Sequence, residues 1–228
     1  LRLEVLRNGY FMSDVKATRA NGNGIDIQAK VSNITTGHNT PTGFTGERLV
    51  WIRITVMDAD GKVVFQSGDT DANGDVRDNE SAFVHADELP LDTQLFNLQS
   101  RFLVQSVRGG ERERTVTIPY STTALPFLRP TRLSLVLTGE STVERNHRKG
   151  IEPLGHRIAK YEIPGSALTG KGPYKAKVEL LAQMFPINLI STIQVVGFDY
   201  GISPRAAANA VVAGREVLYE ETISIDVK

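Results

Sequence analysis

The chain has 228 residues, with 26 Lys+Arg balanced by 26 Asp+Glu and a formal net charge of zero. That balance argues against a nucleic-acid binder or a polybasic membrane-surface protein, both of which need a net positive field. Cysteine is absent, which excludes disulfides, Cys-bearing zinc sites, thiol nucleophiles and covalent haem attachment through Cys-x-x-Cys-His.

Period-two alternation dominates the chain order. Ile25, Ile27, Ala29 and Val31 point one way and Asp26, Gln28, Lys30 and Ser32 the other, which predicts a half-buried strand. Val50, Ile52, Ile54 and Val56 repeat the pattern, and a short strand is expected over 63–66, after the turn at Asp58-Ala59-Asp60-Gly61. Residues 69–107 lose the alternation and are read as an irregular insertion with one or two helical turns, placed at about 92–102. Further strands are expected over 114–118, at Leu133, Leu135 and Leu137, over 157–163, and at Tyr174, Ala176, Val178 and Leu180.

Ser203-Pro204 before an alanine-rich run, with Gly214 behind it, predicts a short helix over 205–213. At the end Val217, Tyr219, Ile223, Ile225 and Val227 are read as one face, interrupted by Glu221. The basic run at 145–149 reads as a solvated loop. Together these elements predict a single all-β domain over 1–228, an antiparallel β-sandwich, immunoglobulin-like or related, of about seven to ten strands. Its core should hold Val50, Ile52, Ile54, Leu133, Leu135, Val178 and Leu180. No run approaches the length of a membrane span. The chain opens on Leu1 without a leader, and reads as a processed chain or a fragment.

Two segments carry candidate chemistry. Asp69, Asp71, Asn73, Gly74 and Glu80 fill every specified position of the calcium-loop template, and the carbonyl or side chain of Asp75 adds a donor. A hard cation would take its oxygens from Asp69, Asp71, Asn73, Asp75 and Glu80; a solvated Asp/Asn/Gly turn is the simpler alternative. Residues 62–66 read as a strand, so an EF-hand fold is rejected. The second segment is Gly37-His38-Asn39-Thr40-Pro41-Thr42-Gly43. His38 at a loop tip could reach outward as an axial ligand to iron held by another segment, or be a structural histidine of the turn. His85, His147 and His156 lack zinc spacing. Arg48, Trp51 and Arg53 are candidate interface residues, for a haem propionate or a partner protein, with Trp51 and Arg53 expected on one domain surface. No nucleophile elbow, His-Glu-x-x-His, phosphate loop or dinucleotide fingerprint is present; the carboxylates leave a glycosidase-like dyad across the β-fold open, and the expected role is non-catalytic.

The order of these features carries a resemblance. Asn33-x-x-x-Gly37-His38-x-x-Pro41-Thr42-Gly43 precedes Arg48-x-x-Trp51 and the hairpin Asp58-Ala59-x-Gly61-x-Val63-Val64-Phe65-x-Ser67-Gly68. This resembles the β-rich, non-haem C-terminal region of bacterial multihaem c-type cytochromes, over about forty residues, with weaker echoes at 174–186 and 198–227. The resemblance implies a periplasmic or extracellular β-sandwich that packs on a multihaem cytochrome segment or subunit. Haem c would then be met only through that partner, with His38 a candidate axial ligand. The alternative is a calcium-stabilised extracytoplasmic module for adhesion or carbohydrate binding.

Overall fold

Where the sequence alternates, the chain is extended. The structure, a computed structural model, describes residues 2–43, 48–107, 113–118, 132–134, 141–147, 149–194 and 201–225, the backbone alone at Arg2, Thr192 and 101–147. Among them are eleven strands: β1 (Tyr10–Arg19), β2 (Ile25–Asn33), β3 (Leu49–Met57), β4 (Val63–Ser67), β5 (Arg101–Val107), β6 (Glu113–Ile118), β7 (Arg132–Ser134), β8 (Ser141–His147), β9 (His156–Ile163), β10 (Tyr174–Gln183) and β11 (Glu216–Ile225). Four helices accompany them: α1 (Arg2–Arg7), α2 (Ala82–His85), α3 (Ile187–Gln194) and α4 (Pro204–Ala213).

Two antiparallel sheets, β1-β2-β9 and β11-β10-β3-β4, face one another as a sandwich. One core fills the space between them. Ile25, Ile27, Ala29 and Val31 from β2 meet Val50, Ile52, Ile54 and Val56 from β3 and Ala176, Val178 and Leu180 from β10. Each fully buried side chain of the size of Ile52 or Leu180 stabilises the fold by about 1.5–3 kcal/mol. The all-β sandwich expected from the sequence is the fold observed, and the expected core residues Val50, Ile52, Ile54, Val178 and Leu180 lie in it. A third antiparallel sheet, β6-β5-β8-β7, takes the strand count past the expected seven to ten. Leu133 is in β7, but the core placement of Leu133 and Leu135 and the face of Val227 fall outside the described residues and side chains.

Three local expectations are corrected. The first concerns phase. β1 bears a bulge, with Ser13 opposite Lys30 and Lys16 opposite Gln28, so the buried positions run Tyr10, Met12 and then Val15. One extra residue reverses the parity of everything beyond it, which hides the alternation. A bulge at Leu218 does the same in β11, where Leu180 pairs with Tyr219 but Leu181 with Val217. Tyr219, Ile223 and Ile225 therefore turn to the inter-sheet core while Val217 faces the opposite side of the sheet.

The second concerns residues 92–102, which are not helical. The Asp92 carboxylate accepts from Gln94 N (3.1 Å), Gly68 N (2.7 Å) and Ser67 Oγ (2.8 Å), tying the segment to the end of β4. Leu98 N then donates to Val50 O, and Ile52 N to Phe96 O, so 96–98 extends the sheet edge beyond β4. The helical turn of the insertion is α2, capped by the Ser81 hydroxyl accepting from Val84 N. The third is the basic run: Arg145–His147 belongs to β8 rather than to a loop.

The insertion matters because it covers the far face of β3. Leu49 and Trp51 point away from the main core and pack with Val76 and Leu181, with Leu95 and Val217 against them. Thus the start of β3 is buried on both faces. Near the other sheet, the Gln94 side-chain amide donates to Glu162 O (3.0 Å) and accepts from Glu162 N (2.7 Å). It pairs with the edge of β9 as a strand residue would, joining the two sheets along one side.

Candidate functional site

The His38 loop is held from below. Asn33, at the end of β2 and 1 % exposed, spends its whole amide on the loop. Nδ2 donates to His38 O (2.8 Å) and Ile151 O (3.0 Å), while Oδ1 accepts from Thr35 N (2.9 Å). Thr40 and Ile151 exchange backbone hydrogen bonds in both directions. With its backbone fixed, the loop presents the His38 ring to solvent. Nδ1 lies 3.2 Å from Asn39 O. A carbonyl only accepts, so the proton belongs on Nδ1 and the lone pair on Nε2. That is the tautomer an imidazole metal ligand needs.

Beside His38 runs a groove of about 700 Å³, within the range of small-molecule pockets. It is assembled from α1, the start of β1, the 38–42 loop, Arg48 and Val50, and the end of β10 with Gly214 and Glu216. Arg48 is exposed on it. Tyr10 sits at its base, where burial pushes the phenol above its ordinary range, so it stays protonated. Sequence reasoning found His38 and Arg48. It missed Thr40, Met184 and Val5, because only the fold brings residues so far apart in the chain to one wall.

The other interface candidates divide. Trp51 is fully buried, not on a surface, because the insertion covers it; its Nε1 donates to Gly68 O (2.9 Å). The Arg215 guanidinium lies 5.0 Å over the Trp51 ring and donates to Gln183 Oε1 (2.8 Å) and Gly74 O (3.0 Å). Arg53 keeps a partly exposed side chain and forms a two-point pair with Glu179 directly across the β3–β10 ladder (2.7 and 3.0 Å). Burial alone would raise the Glu179 carboxyl, yet hydrogen bonds from Arg53 and Lys177 hold it below its ordinary value.

In the 69–80 loop the template oxygens are distributed among protein partners. Asp71 Oδ1 accepts from the backbone N–H of Asn73 (2.8 Å), Gly74 (2.9 Å) and Asp75 (3.1 Å), and Oδ2 from Ser81 Oγ (2.6 Å). Asp69 pairs with Arg77 (2.6 Å), Asn73 Oδ1 accepts from Arg205 (3.1 Å), and Glu80 Oε2 accepts from Asn188 (3.0 Å). Asp75 Oδ1 accepts from Ile187 N (2.6 Å) at the start of α3. Burial pushes its carboxyl up to about 7, the charges of Asp71 and Asp78 adding to the effect. Gly74 has φ +99, and a Cβ there would strike Val212 of α4. Among the described residues no three His, Asp or Glu side chains converge to hold a metal ion.

No family model and no curated protein matches the chain. Among solved structures it is similar to a penta-heme cytochrome c552 from Thermochromatium tepidum, with a TM-score of 0.53 at 14 % identity. The match covers 98 % of this chain and 41 % of that one. At this identity the likeness is one of fold, and the chain spans less than half of that cytochrome's length. No helix among the described residues is long and apolar enough to cross a membrane.

Proposed function

We propose that this chain is the non-catalytic β-sandwich part of a multihaem c-type cytochrome electron-transfer assembly. It packs against haem-bearing sequence through the end of the sandwich that carries the His38 loop. His38 donates Nε2 to one haem iron, and Arg48 lies at the same contact. The haem then performs the redox chemistry, while this chain sets ligation, burial and solvent access. A periplasmic or extracellular location goes with that role.

The observation that carries the reading is the His38 ring, exposed on a loop whose backbone is fixed by Asn33 and Ile151, with its Nδ1 proton directed at Asn39 O. The fold-level similarity to part of a penta-heme cytochrome supports it, as does the Gly-His-x-x-Pro-Thr-Gly to Arg-x-x-Trp order of the sequence. The test is His38→Ala in the intact assembly. Loss of one axial imidazole should convert one haem from a low-spin to a high-spin spectrum. Unchanged haem spectra would reduce His38 to a turn residue.

A further inference from the structure

The groove beside His38 holds hydrogen-bonding capacity that the fold itself does not use. Thr40 is 3 % exposed and its backbone is locked to Ile151, and its hydroxyl lines the groove with the Tyr10 phenol as its one side-chain neighbour. A hydroxyl can donate once and accept twice, so beside a single phenol it keeps capacity for a ligand oxygen. Arg48 is exposed on the same groove and has no ion-pair partner among the described residues. Glu216, the one acidic residue of the lining, is engaged in an interaction of its own. The remaining wall is largely apolar, and two of its members, Val5 and Met184, stand 63 % and 51 % exposed. Large apolar side chains grouped around one cation and one spare hydroxyl describe a complement: an apolar body with a carboxylate at its edge.

We propose that this groove binds the carboxylate-bearing edge of an apolar ligand, with Arg48 and the Thr40 hydroxyl holding the carboxylate and Val5, Leu6, Pro41 and Met184 covering the apolar body. Two sources share that chemistry. One is the propionate edge of a tetrapyrrole, and this source rests on the function proposed above. The other is a free long-chain carboxylate. Neither needs iron, so the site is separable from ligation by His38.

The test uses the chain itself with iron-free probes, each acid paired with its neutral ester: protoporphyrin IX against its dimethyl ester, and palmitate against methyl palmitate. At least one acid should bind about tenfold or more tightly than its ester, as a charge-assisted contact requires. Arg48→Gln should abolish that preference and Thr40→Val should reduce it, while Lys160→Gln, at an exposed cation of β9 outside the groove, leaves it intact. Circular dichroism of each variant confirms that the sheets persist. A preference confined to the porphyrin pair assigns the tetrapyrrole source; one confined to palmitate assigns the free carboxylate. Equal binding of acid and ester, no binding of either acid, or indifference to Arg48→Gln would overturn the proposal. The haem-contact reading fails separately, on the spectrum of the His38→Ala assembly.

Discussion

Arg215 and Trp51 meet 5.0 Å apart, guanidinium over indole, on the outer side of the four-stranded sheet. The same guanidinium reaches the carbonyl of Gly74 and the side chain of Gln183. One side chain therefore joins the insertion, the centre of the sheet and the end of β10. Burial lowers its pKa from the ordinary arginine value, and the nearby charge of Arg53 acts in the same direction.

Arg215→Ala should destabilise the fold by about 2–4 kcal/mol, since it removes the stacking contact and leaves two acceptors unpaired. Arg215→Lys should recover only part of that, lacking the planar fork. Urea unfolding of the three proteins measures the series. A loss below ~0.5 kcal/mol for the alanine variant would show that the contact is dispensable.

Asp75 should set a pH dependence of stability. Its folded pKa is raised to about 7 by burial, above its value in the unfolded chain. The folded state therefore binds the proton more tightly between roughly pH 4 and 7, and stability falls as pH rises through that window. Asp75→Asn keeps an acceptor for Ile187 N and removes the titration. The stability of the wild type relative to Asp75→Asn should drop on the order of 4 kcal/mol from pH 4 to pH 7, at most. Parallel curves for the two proteins would refute the assignment.

Tyr161 is fully buried in the inter-sheet core, and its hydroxyl has no hydrogen-bond partner. Tyr161→Phe should accordingly leave stability unchanged or raise it, by about 1 kcal/mol. A loss of 2 kcal/mol or more by denaturant unfolding would mean the hydroxyl is satisfied after all.

Calcium should leave the melting temperature where it is. At least one oxygen each of Asp69, Asp71, Asn73 and Glu80 is already accepting, from Arg77, from Ser81 and backbone N–H groups, from Arg205 and from Asn188 respectively. Anything that binds only the folded state would raise the melting temperature with ligand excess. A calcium-dependent rise, lost in Asp71→Ala, would establish the calcium-loop reading.

Much of the sandwich was legible in the sequence because alternation is a local signal. β2, β3 and β10 announce their inward faces residue by residue, and Ser203, Pro204 and Gly214 mark the ends of α4. β1 was illegible because the bulge after Ser13 reverses its phase in mid-strand. Trp51 was misplaced for another reason. Its strand face is exposed or buried according to whether the insertion folds over it, and nothing within β3 says so. The groove falls furthest from sequence, since Val5, Thr40, Arg48 and Met184 share no local pattern. His38 and Arg48 stood out because they belong to the Gly-His-x-x-Pro-Thr-Gly to Arg-x-x-Trp order that carries the resemblance.

The two-sided burial of β3 has a kinetic consequence. Its first residues bond to β10 on one side and to residues 96–98 on the other, with Leu49 and Trp51 sealed beneath the insertion and Val50 and Ile52 between the sheets. No small fluctuation can bring solvent to those amides; both layers must part first. In deuterated buffer the N–H groups of Ile52 and its neighbours should be the last to exchange, at rates set by global unfolding. The exposed His38 loop lies only about ten residues upstream and should exchange early. The slowest and among the fastest clocks in the chain would then run almost side by side, one set by global unfolding and the other by amides that face solvent on a backbone Asn33 and Ile151 hold in place.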